Sequence, residues 1–164
     1  MALRRRAYEP GHRAKLLVVV DDTPECSRAL HFAARRARRT GAGIVMLAII
    51  EPEDAQPWLG IEARMLAEAE AEAGKRLDAG AAIIRDIAHF EPERVIQTGK
   101  PADEVRNRIE ADEDISALVL AAGTGKDGPG PLVTQLAGRV SAGFPVPITI
   151  VPGGLPDDDF EALA

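Results

Sequence analysis

The chain has 164 residues, enough for one domain that buries roughly two-thirds of its unfolded surface without a disulfide or metal staple. Its 20 Lys and Arg against 26 Asp and Glu give a net charge of -6, which excludes nucleic acid or an anionic membrane as the main partner, since both need clustered cations. The single cysteine, Cys26, excludes an intramolecular disulfide framework and fits a reducing compartment.

MALRRRAYEPGHRA lacks the apolar core of a signal peptide and no apolar run approaches a membrane span, so a cytoplasmic protein is expected. Residues 1–14 have no apolar period and carry Pro10 and Gly11, which predicts a poorly ordered arm. From Lys15, KLLVVV is an unbroken aliphatic run, the pattern of a strand covered on both faces in a parallel sheet. Thr23 then offers an N-cap oxygen and Pro24 suits the first helical position, which puts Cys26 at the third. Ala29, Leu30, Ala33 and Ala37 recur at helical spacing, with arginines on the other face and in the last turn. Gly41 and Gly43 end that helix, and IVMLAII, residues 44–50, is a second buried strand closed by Glu51 and Pro52.

After a polar loop around Trp58, one face of a long helix carries Ile61, Met65, Ala69, Ala73 and Leu77, while Glu62, Glu68, Glu70 and Glu72 form its solvated side. ERVIQTG reads as a third strand, PADEVRNRIEAD as a third helix and ISALVLAAG as a fourth strand. LVTQLAGRVSAG reads as a fourth helix and PITIV as a fifth strand. The closing LPDDDFEALA offers an aspartate N-cap with Phe160 and Leu163, compatible with one docked helical turn or with disorder. Strand and helix alternate throughout, so the expected fold is a three-layer, doubly wound α/β domain over residues 15–152 with a five-stranded, mostly parallel sheet, followed by an acidic tail, 153–164. In such sheets ligands bind at the carboxyl ends of the strands, so function is sought in the loops after Val20, Ile50, Gly99 and Ala121.

LLVVVDDTPECSRAL resembles the opening of a response-regulator receiver, whose acidic pair holds Mg²⁺. That chemistry also needs a phosphoacceptor aspartate at the end of a middle strand and a lysine at the end of the last. Lys100 before Pro101 resembles the lysine, but the second strand ends in Ile49, Ile50 and Glu51 and ERVIQTG ends without an aspartate. A second resemblance runs from Lys15 to Pro152. VDDTPECSRAL is similar to the VDGSEASERAL opening of the universal stress protein family, TGKPADEV to its GDPAEEI motif, and FPVPITIVP to its closing APCPVLVV, with LAIIEP and SALVLAA in register between them. Five motifs in order favour this family over the receiver. The resemblance implies a Rossmann-like, adenine-nucleotide α-hydrolase-like fold and a stress-response or regulatory role. It further implies ATP or AMP with Mg²⁺ as the ligand where one is bound, and a homodimer paired through the last strand at Ile148, Thr149, Ile150 and Val151.

Nucleotide-binding members of that family carry Gly-x2-Gly, nine residues, then Gly-Ser or Gly-Thr, which offers backbone N–H groups to phosphates. Gly125, Gly128 and Gly138 have those intervals, but alignment from PVPITIV and from Gly99 places the Gly-Ser pair at Thr134 and Gln135 and the earlier glycines at Ala121 and Thr124. The phosphate motif is therefore absent residue for residue. AAGTGKDGPGPLVTQ stands in its place, still with Gly123, Gly125, Gly128, two threonines and Lys126, a loop that could hold a phosphate only by rearrangement. Asp21 matches the family's aspartate near adenosine and Ile49 an aliphatic position beside the base, while Asp22 replaces a glycine and opposes polyphosphate. The candidate nucleotide-binding residues are Val20, Asp21, Asp22, Thr23, Ile49, Ala121, Gly123, Thr124, Gly125, Lys126, Gly128, Thr134 and Gln135. The expected function is a regulatory dimer with weak or lost adenine-nucleotide binding, against an ATP or AMP sensor with a rearranged loop. No catalytic residues or metal ligands are expected, because no motif joins nucleophile, base and electrophile, which leaves at most a slow ATPase. Cys26, near a helix start, is either small filler or a reactive thiol.

Overall fold

The computed structural model describes residues 4–52, 61–138 and 141–164. Its elements are β1 (Lys15–Val19), α1 (Cys26–Thr40), β2 (Gly43–Ile50), α2 (Ile61–Ala88), β3 (Glu93–Thr98), α3 (Pro101–Ala111), β4 (Ile115–Ala122), α4 (Pro131–Ala137), β5 (Ile148–Pro152) and α5 (Phe160–Leu163). The five strands form one sheet in the order β3-β2-β1-β4-β5, and every pair is parallel rather than mostly so. Among the described residues no helix is long and apolar enough to cross a membrane.

The unbroken apolar runs of β1 and β2 follow from cover on both faces. Leu16, Val18 and Val20 of the first run join Ile44, Met46 and Ala48 under α1 and α2, while Leu17, Val19, Val45 and Leu47 face α3 and α4. Only the C-terminal half of α2 is buried in this way, through Ala73, Leu77, Ala81 and Ile84. Met65 and Ala69, expected on the same face, are half-exposed and do not join that core. The loop around Trp58 lies outside the described residues.

Three local expectations change. Residues 4–14, expected as a poorly ordered arm, pack on the turn between α3 and β4: Ala7 is buried, the Arg6 N–H donates to the Glu113 carbonyl at 2.9 Å, and His12 Nδ1 lies 2.7 Å from Asp114 Oδ1. Those partners are about a hundred residues away in sequence, beyond any local pattern. The fourth helix ends at Ala137 instead of running to Gly143, with Gly138 following in a non-helical conformation, φ -86° and ψ -133°. The tail docks, with Phe160 and Ala164 buried against α1 and the β5 side of the core.

Candidate nucleotide-binding site

β1 sits between β2 and β4, so the chain leaves it in opposite directions and a cleft opens at its carboxyl end. A cavity of about 380 Å³ lies there. Its apolar walls come from Val19, Val20, Ala29, Ile49, Leu120, Ala121 and the segment Pro131–Val133, and its polar groups are Asp21, Asp22, Thr23, Glu25, Glu51, Arg76 and Gln135.

Val20 extends the ladder by one bond, its N–H donating to the Leu47 carbonyl at 2.8 Å, and the backbone then turns at the two aspartates. Asp21 Oδ1 accepts from the Thr23 N–H at 3.0 Å and from Thr23 Oγ1 at 2.5 Å. This short-range turn uses the hydroxyl expected to cap the helix. Thr23 is therefore not the N-cap: Glu25 occupies that position without a side-chain cap bond, and Cys26 is the first residue of α1 rather than the third. Cys26 is buried, its Sγ donating to the Val19 carbonyl at 3.7 Å. Burial pushes the thiol up to about 11, and the neighbouring charges of Asp21 and Glu25 act in the same sense. Of the two roles open to it, the environment supports buried filler.

The glycine-rich loop after β4 folds onto itself. The Gly123 N–H donates to the Pro129 carbonyl at 3.0 Å, the Gly128 N–H to the Gly125 carbonyl at 3.2 Å, and the Thr134 N–H and hydroxyl both go to the Gly130 carbonyl, at 3.0 and 2.9 Å. Pro129 and Pro131 have no N–H to offer. A Cβ at residue 123 would stand 3.0 Å from Glu25 Oε1 and 3.1 Å from the Gly128 carbonyl, so glycine here admits a carboxylate and closes the loop. Gly130, at φ +109°, adopts a backbone conformation that favours glycine and turns the chain into α4.

Of the residues expected to bind nucleotide, Val20, Asp21, Asp22, Thr23, Ile49, Ala121 and Gln135 line the cavity. Gly123, Thr124, Gly125, Lys126, Gly128 and Thr134 do not line it; all but Gly123 are exposed, and the loop's own carbonyls take the N–H groups of Gly123, Gly128 and Thr134. Gly138 does not line it either. Glu25 and Arg76 enter without a motif to mark them: Glu25 is a carboxylate three residues after Asp22, and Arg76 is one charge among many on α2.

These residues do not fit a triphosphate with Mg²⁺. The N–H groups of Gly123 and Gly128 are spent within the loop, and four carboxylates face one guanidinium. Nor do the carboxylates converge on a cation. Among the described residues the only group of three possible metal ligands is His12, Glu113 and Asp114, at the opposite end of the sheet, where they tie down the N-terminal segment.

A five-stranded, all-parallel sheet with this strand order and a cavity at its switch point defines a Rossmann-like α/β protein. The family model described as the universal stress protein family matches residues 12–152, and the chain belongs to that family. No curated protein matches it at a significant level. Among solved structures it is similar to the universal stress protein UspA from Lactobacillus plantarum, with TM-score 0.71 and 16% identity over 84% of this chain and 97% of that one. It is also similar to the universal stress protein from Archaeoglobus fulgidus in complex with dAMP, with TM-score 0.58 and 22% identity over 84% and 97%. A family protein from Arabidopsis thaliana with AMP bound gives TM-score 0.58 and 20% identity over 85% and 91%.

Proposed function

We propose that this protein is a dimeric regulatory module of the stress response whose cavity disfavours ATP. The observation that carries this reading is the closed glycine loop: the N–H groups of Gly123, Gly128 and Thr134 are bonded to the loop's own carbonyls and so are withheld from a polyphosphate. Asp21, Asp22, Glu25 and Glu51 around the same cavity repel further negative charge. The apolar walls remain, and relatives hold AMP and dAMP, so an adenosine-type ligand with few phosphates suits the cavity better than ATP.

The dimer rests on β5. It is an edge strand with Ile150 38% exposed and Ile148 and Thr149 half-buried, an apolar row that calls for cover. Val151, expected in this interface, has its side chain buried in the chain's own core instead. Calorimetric titration with ATP·Mg²⁺, AMP and adenosine tests the ligand half of the proposal, together with mass spectrometry of anything released on denaturation. The expected result is ATP·Mg²⁺ binding weaker than AMP and no copurified ATP. ATP·Mg²⁺ binding tighter than AMP refutes it and favours a sensor with a rearranged loop.

A further inference from the structure

Arg76 lies three residues after Ala73 and one before Leu77, both buried, so helical geometry sets it at the border of the packed stripe of α2. There it lines the cavity beside Cys26. Its Nε is buried and has no hydrogen-bond partner, and the side chain forms no ion pair among the described residues. Four carboxylates line the same cavity, yet none is paired with it; Asp21 Oδ1 is committed to Thr23. Arg35 and Arg108 also have a buried Nε without a partner, but of the three only Arg76 lines the cavity, where a bound anion would satisfy it. Other cations near this end of the sheet cannot substitute, since Lys100 and Lys126 are exposed and do not line the cavity.

We infer that Arg76 is the anion anchor of this cavity, taking one phosphoryl group of a nucleoside monophosphate through its guanidinium while the ligand's body lies against the ends of β1, β2 and β4. The inference rests on the reading that the cavity holds an adenosine-type ligand in preference to ATP, and it names the residue responsible. One cation matches one anionic group, and a guanidinium fork suits two oxygens of a single phosphoryl group better than an ammonium does. Further phosphates would meet the carboxylates with no cation left to offset them. Preference for a monophosphate then follows from a side chain on α2, not from the glycine loop.

The test is calorimetry on the full chain with AMP, adenosine, orthophosphate and ATP·Mg²⁺, for the wild type, Arg76→Gln and Arg76→Lys. The wild type should bind AMP more tightly than adenosine. Arg76→Gln should weaken AMP about ten- to hundredfold and leave adenosine unchanged, as expected for loss of a hydrogen-bonded charge contact. Arg76→Lys, which keeps the charge and covers the case in which the glutamine variant does not fold, should fall between them. An AMP advantage that survives in both variants overturns the anchor, as does a wild type that binds adenosine as well as AMP. A wild type that binds neither AMP nor orthophosphate at millimolar concentration overturns it too. ATP·Mg²⁺ binding tighter than AMP in the wild type instead refutes the proposed function, an outcome read independently of the Arg76 variants.

Discussion

Replacing Phe160 with alanine tests how the C-terminal segment is held. The ring is 0% exposed, its centroid is 6.1 Å from that of His31, and the Arg28 guanidinium carbon lies 5.7 Å from it. The ion pairs nearby, Arg28 with Asp157 and Arg35 with Glu161, involve carboxylates that are 66% and 63% exposed, so solvent screening leaves them a minor part of the docking. Burial of the phenyl ring contributes about 2–3 kcal/mol. At an internal core position the void left behind would raise the loss to about 3–5 kcal/mol. Here the segment is terminal and can lift away without opening the sheet, so the loss stops at the docking energy, about 2–3 kcal/mol, and the melting temperature should fall by about 4–12 °C. Thermal denaturation of the wild type, of Phe160→Ala and of a chain ending at Gly154 measures this, and the two variants should melt together. A change under about 1 °C in Phe160→Ala, or a loss well beyond that of the truncation, would refute the reasoning. His31 adds a pH dependence. Burial holds its pKa below the ordinary 6.5, so the released state binds the proton more readily. Docking is strongest above that value and weakens as pH falls through the depressed one, which hydrogen exchange of the α5 amides would follow.

Cys26, its thiol pushed up to about 11, should resist a disulfide reagent in the native protein at pH 8 and react promptly once denatured; fast native labelling would contradict its burial. At the other end of the fold, Ile150→Lys places a charge on the β5 edge and should convert the proposed dimer to monomer in sedimentation without changing the melting of the monomer. An unchanged sedimentation coefficient for this variant would move the interface elsewhere.

The alternation of apolar runs and helical periods was enough to place five strands and the first three helices, because a strand covered on both faces must be aliphatic at every position, as in KLLVVV and IVMLAII. It did not place the end of α4. The family was legible for a related reason: its motifs lie at strand ends, where topology constrains the backbone, and they occur here in order. The glycine loop was legible only as a departure from the motif. Spacing could not tell whether its N–H groups face a ligand or each other, since the Gly123 to Pro129 bond depends on how the loop closes over Glu25.

What the sequence determined by itself was therefore the order of elements, the parallel sheet and the place along the chain where the cleft opens. Tertiary structure decided which side chains reach that place. Arg76 arrives because α2 packs Ala73 and Leu77 against the core, Lys126 is carried away by a loop bonded to itself, and the N-terminal segment is fixed by Glu113 and Asp114. Each of these depends on contacts between residues distant in sequence, which local periodicity does not encode.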